Sequence, residues 1–205
     1  MIAPTDAFAV IGIALALCAG ALSLLRFGRH KGFPLSPWVT GLLLVLFIAL
    51  VIPRPGTSIP LASFFRGFIG DLSITLVALS FWSLCHRLCG TSAISKRELT
   101  ALLVVVGAAA LLLYPTALGW SDWDAYRLGW GSWWLLSALL MLCSISVWRG
   151  LFVLPAWVAL ALLAWSFGLM ESGNLWDYLM DPWLSAFALG FVFIKCVQFV
   201  RNRFR

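Results

Sequence analysis

An all-α, polytopic transmembrane helical bundle is the fold class this sequence predicts, on three observations. The 205 residues are 62% hydrophobic and 11% charged, whereas soluble domains carry about 25% charged residues. Mean hydropathy reaches +1.00. Apolar runs close to the ~20 residues needed to cross a hydrocarbon core recur along the chain with short polar gaps between them.

These runs predict about seven spans within one integral membrane domain, 1–205, near residues 7–25, 38–52, 61–84, 99–114, 133–147, 151–170 and 183–200. In the first, Asp6 precedes the apolar run and Arg26 follows it. That polarity is the reverse of a cleavable secretory signal, so a retained span is expected. Trp38 opens the second span, and Pro53 and Pro55 close it. The third runs from Leu61 to Leu84, and Pro115 is expected to stop the fourth. Trp148-Arg149-Gly150 leaves only a very tight turn between the fifth and sixth, and Pro182 stands in the first turn of the seventh. Several cores are short, and flanking Trp and Arg side chains extend them into the interface. Gly12, Gly41, Gly107, Gly168 and Gly190 are placed for close helix packing in lipid.

Positive charge orients the bundle. Arg26, Arg29 and Lys31 fill one gap, Arg87, Lys96 and Arg97 another, Arg149 a third, and Arg201, Arg203 and Arg205 the tail. The alternate gaps hold Arg54, Arg66 and Arg127, while Lys195 lies inside the seventh span, from which it can snorkel. Lys and Arg near a span resist translocation, so the N-terminus is expected outside and the C-terminus inside. Short loops, 12 Trp and the lack of an organellar targeting segment suit a bacterial inner membrane. Anionic membrane lipids are the natural partners of the +6 net charge, and nucleic-acid binding is not expected.

Nothing in the chain carries a recognised catalytic pattern. Gly-x-Ser-x-Gly and His-Glu-x-x-His are both absent. Cys85-His86-Arg-Leu-Cys89 has helical spacing but no second ligand pair, so packing is expected and no metal. Cys18, Cys143 and Cys196 lie in or beside spans, so no disulfide framework is expected either. His30 and His86 have the wrong placement for bis-His haem, and no cofactor is predicted.

Candidate binding residues come from two expected outer segments, Gly119–Trp130 and Glu171–Pro182. An interfacial Trp/Tyr belt explains their aromatics. A shallow site for a polar head group or sugar is the sharper reading, with stacking faces and carboxylate acceptors. Asp122 and Asp124 alternate with Trp123, so an extended loop would aim both carboxylates one way; Arg127 follows on the same loop. Trp176, Asp177 and Asp181 fit one helical turn, with Asp177 and Asp181 at i, i+4, and Asp181 is also a plausible N-cap. Glu171 completes the acidic set.

Asp71 is the most informative single residue. It stands about 10 Å into the third span at 1.5 Å per residue, where a charge is expensive and needs a partner. Arg66 is nearest in sequence, but five residues along a regular helix separate the two by about 140°. Pairing therefore requires a bend at Gly67 or Gly70, or the reach of a long Arg side chain; Arg127 is the alternative partner.

The stretch Phe65-Arg66-Gly67-Phe68-Ile69-Gly70-Asp71-Leu72-Ser73 resembles a segment in the membrane portion of lipoteichoic-acid-synthase-like, sulfatase-type envelope transferases, which often carry Gly-x-x-x-Asp-Leu at the start of a span. Those proteins move phosphoglycerol or phosphoethanolamine onto envelope glycans and lipids. The resemblance spans 65–73 only. It implies a membrane module or partner of an envelope transferase or glycan-assembly protein, lacking the family's extracytoplasmic catalytic domain. A non-catalytic accessory that presents its acidic, aromatic outer face to an envelope lipid, glycan or partner enzyme is the function expected. A proton- or cation-coupled transporter using Asp71 is the alternative, and an intramembrane enzyme on lipid-linked substrate a further one.

Overall fold

The computed structural model describes residues 3–25 and 37–203. Arg26, Arg29, His30, Lys31 and Arg205 lie outside the described residues. The described chain is helical, with a lone antiparallel bridge, Pro53 to Pro60. Among the described residues, three helices are long and apolar enough to cross a membrane: Pro4–Leu25 (α1), Lys96–Ala117 (α5) and Pro182–Arg203 (α9). Shorter apolar helices are Pro37–Val51 (α2), Ile74–Cys89 (α4), Trp133–Trp148 (α6) and Val153–Ser166 (α7). Leu61–Ile69 (α3) and Leu175–Leu179 (α8) complete the set, with a 3-10 helix at Ala125–Gly129.

Two compact units result: Met1–Ala93 with Phe167–Glu171, and Ile94–Ser166 with Ser172–Arg205. In the first, α1 packs on α2, α3 and α4. Val10, Ile13, Ala14, Cys18 and Leu22 repeat at helical spacing and meet Leu43, Leu50, Ala62, Leu72 and Leu84. α4 comes close to α1 at Gly12, where a Cβ would stand 2.9 Å from a Val77 methyl. In the second unit α5 packs on α9 and α7, and α6 on α7. Gly107 faces Ala188 and Val192, so small residues again set the approach of two apolar helices. Gly41 and Gly190 have nothing within 4 Å of a Cβ, and Gly168 at φ +60° lies past the end of α7. Those three do not serve close packing.

The helix expected over 61–84 is two helices. Gly70 adopts φ 72°, ψ −169°, a region that essentially only glycine enters, and residues 70–73 leave the helix. Buried Ser73 restarts it by capping the Leu76 N–H at 3.2 Å. Pro115 does not end α5, which continues to Ala117. Proline removes one donor but sits here in the last turn, where Thr116 donates its hydroxyl to the Leu112 carbonyl at 2.9 Å.

The tight turn after α6 closes as a Schellman motif. Gly150 at φ +69° donates to Val147 and Leu151 donates to Ser146. Two neighbours on α5 clamp it: Arg97 donates to the Arg149 carbonyl at 2.8 Å, and the Glu98 carboxylate accepts from the Phe152 and Val153 N–H groups. A cation thus meets the C-terminus of α6 and an anion the N-terminus of α7, each matched to the helix dipole.

Candidate functional site at Arg66

In the first unit the acids Asp6, Asp71 and Glu171 converge on Arg66. Because Gly70 breaks the helix, Asp71 swings back and accepts from Arg66 through both oxygens, Nε to Oδ1 at 2.5 Å and Nη2 to Oδ2 at 3.0 Å. Asp6, in the first turn of α1, accepts from Nη1 at 2.7 Å. Glu171 pairs with Nη2 at 2.9 Å. All three guanidinium nitrogens are therefore engaged, in the fork geometry that favours Arg over Lys. Arg66 and Asp71 are each 19% exposed, while Asp6 at 45% and Glu171 at 66% face outward.

This cluster borders a cleft of about 640 Å³. Asp6, Arg66, Ser58 and Ser63 supply its polar groups; Val10, Ile11, Val51 and Ile59 are among its apolar walls. The loop side is fixed by a turn over Arg54–Thr57, with Pro55 and Gly56 (φ 84°) at its centre and the Thr57 N–H on the Arg54 carbonyl. Asp6 and Ile11 are about 7 Å apart along α1, so the wall changes from charged to apolar within little more than one turn.

The expected outer segments behave differently. In the second unit they fold onto each other, and most of their acids serve the fold. Asp124 caps the 3-10 helix through the Tyr126 N–H at 2.9 Å rather than aiming alongside Asp122. Asp177 accepts from the Tyr126 hydroxyl at 2.9 Å and from the Ser172 hydroxyl. Asp181 is not on one helical face with Asp177, because Met180 is extended between them (φ −156°, ψ 150°). It caps α9 instead, accepting from Leu184 N–H at 2.8 Å, and is 3% exposed. Trp176 is not part of an outer face either: it is 7% exposed and donates Nε1–H to the Ala125 carbonyl. Asp122, Trp123 and Arg127 remain exposed. The partner of Asp71 is Arg66, not Arg127.

Asn174, fully buried, ties the two segments together. Its side chain donates to the Tyr126 carbonyl and accepts from the Trp176 N–H. The sequence reading missed Asn174, and it missed Asp6 as a partner of Arg66. A Ser-Gly-Asn turn signal and an acid in a first helical turn were the available clues.

Burial, reinforced by the Asp177 hydrogen bond and charge, pushes Tyr126 up to about 12 from the usual 10. A phenol raised on folding stabilises the fold fully below pH 10, and that contribution is lost as pH rises from 10 through 12. Ultraviolet difference titration should therefore show a tyrosine ionising near pH 12, absent from Tyr126→Phe and shifted downward in Asp177→Asn. A Tyr126→Phe titration identical to that of the parent would contradict the assignment.

Among the described residues no group of three or more His, Cys, Asp or Glu side chains is arranged to hold a metal ion. No family model matches this sequence, and neither a curated protein nor a solved structure matches it.

Proposed function

We propose that this is a multi-pass protein of a bacterial inner membrane that acts without chemistry of its own, holding an envelope lipid at the Arg66 cleft for a partner enzyme. Seven spans, with the N-terminus outside and the C-terminus inside, are part of the proposal. They rest on the alternation of basic gaps. The observation that carries the reading is the cleft itself, lined by charged Asp6 and Arg66 and by apolar Val10 and Ile11 about one turn further along α1. That gradient matches a head group followed by a chain.

The resemblance to envelope transferases at 65–73 supports the same setting. Arg66, Gly70 and Asp71 of that stretch are the residues that make the break and the ion cluster. The interrupted helix is also a feature of transporters. Against transport, both oxygens of Asp71 are held by Arg66, so carrying a proton or cation would require breaking a bidentate pair.

Gly67 lines the cleft, and nothing lies within 4 Å of a Cβ built there, so Gly67→Leu should fill the space without disturbing α3. Mass spectrometry of the protein purified in mild detergent is expected to find one lipid class held at about one molecule per chain. Gly67→Leu should lose it while melting normally. If parent and variant carry the same bulk phospholipid, the lipid-holding reading fails.

A further inference from the structure

The charge balance of the cluster at Arg66 bears on the head group. Three carboxylates, Asp6, Asp71 and Glu171, surround a single guanidinium, so the cluster carries a net charge of −2 when all are ionised. Arg66 spends each of its nitrogens on these acids and is a poor receptor for a further anion. Asp6 and Glu171 reach it through one oxygen each, Oδ1 and Oε1, and are the two most exposed members. Asp6 lines the cleft and Glu171 stands beside it on Arg66, and their remaining lone pairs, which are acceptors, are the outward hydrogen-bonding capacity of the cluster.

A cation with several N–H donors suits that arrangement. A divalent metal suits it less, because its oxygen ligands must converge at about 2.0–2.6 Å, whereas here the guanidinium stands between the carboxylates. Apolar walls at Val10, Ile11, Val51 and Ile59 call for a hydrocarbon chain on the same molecule. Ser58 and Ser63 line the same cleft and offer hydroxyl donors to the phosphate of such a lipid.

We infer that the cleft takes a bilayer phospholipid whose head group ends in a primary ammonium, held by the Asp6 and Glu171 carboxylates. This rests on the lipid-holding reading and adds the head-group chemistry to it. A primary ammonium donates three hydrogen bonds to carboxylates, a quaternary ammonium donates none, and a glycerol head group brings no positive charge.

The test uses the whole protein in detergent, exchanged into equimolar phosphatidylethanolamine, phosphatidylcholine and phosphatidylglycerol with identical acyl chains, with retained lipid read by native mass spectrometry. Phosphatidylethanolamine should be retained about tenfold over each of the others. The double change Asp6→Asn with Glu171→Gln should erase that preference while total retained lipid stays the same. A melting curve of the double variant checks that it is folded. Equal retention of the three lipids, or a preference unchanged in the folded double variant, overturns the head-group assignment; one lipid per chain in the parent with none in Gly67→Leu would still uphold the lipid-holding reading. Retention that Gly67→Leu does not reduce overturns both.

Discussion

Arg66→Ala is expected to lower the stability of the protein by about 2–3 kcal/mol. Removing one member of a buried pair typically costs about 3–5 kcal/mol, since the other charge stays desolvated. Arg66 and Asp71 are each 19% exposed, so some water relieves Asp71 and the cost falls to the bottom of that range or below it. Two further acids, Asp6 and Glu171, lose their counter-charge at the same time and repel Asp71. Arg66→Lys should recover only part of the loss, because an ammonium cannot supply the parallel bonds to both Asp71 oxygens. Adding Asp71→Asn to Arg66→Ala should restore about 1 kcal/mol or more, the coupling expected of residues in one network. Thermal melting in detergent measures all of these, and an Arg66→Ala protein that melts like the parent would refute the pairing.

The largest effect of a single methyl group is expected at Gly129. A Cβ there would overlap the Asn174 amide and stand 2.8 Å from Trp176 Cδ1. Asn174 is fully buried, and its bonds to Tyr126 and Trp176 join the two halves of the polar knot. Overpacking alone costs about 1–3 kcal/mol, and displacing Asn174 leaves buried donors and acceptors unmet at about 1–3 kcal/mol more. Gly129→Ala should therefore destabilise by at least about 3 kcal/mol and release the Tyr126 phenol to a lower pKa. Gly190→Ala is the control. Nothing lies within 4 Å of its Cβ, and it sits inside α9, so it should stabilise by roughly 0.5–1 kcal/mol. Equal melting of the two variants would refute the close approach at Gly129.

Much of the helical organisation was legible without coordinates because hydropathy in long runs is a local signal. Residues 7–25 and 183–200 foretold α1 and α9 to within a few residues. The tight turn at Trp148-Arg149-Gly150 was legible from the short gap between two apolar runs. A bend at Gly67 or Gly70 was legible only as a condition for pairing Arg66 with Asp71, because hydropathy does not report backbone angles. Leu61 to Leu84 is apolar enough to read as one helix, and only the conformation of Gly70 divides it. The same break decides the candidate site, since a regular helix would hold Arg66 and Asp71 on different faces.

Acids in loops were legible as a group but not as individuals. Asp124, Asp177 and Asp181 have the same side-chain chemistry as Asp122, yet the first three are spent on N–H and hydroxyl donors of the second unit. Which carboxylate caps a helix and which faces outward depends on where neighbouring donors land, and those donors come from residues about 50 positions away in the case of Asp177. Composition and apolar run length, being properties of the chain itself, determined a helical fold whose described residues include three helices long and apolar enough to cross a membrane. The convergence of Asp6, Asp71 and Glu171 on Arg66 beside an apolar cleft was decided only by tertiary structure, because it joins segments 60 and 105 residues from Arg66 through contacts that no local pattern encodes.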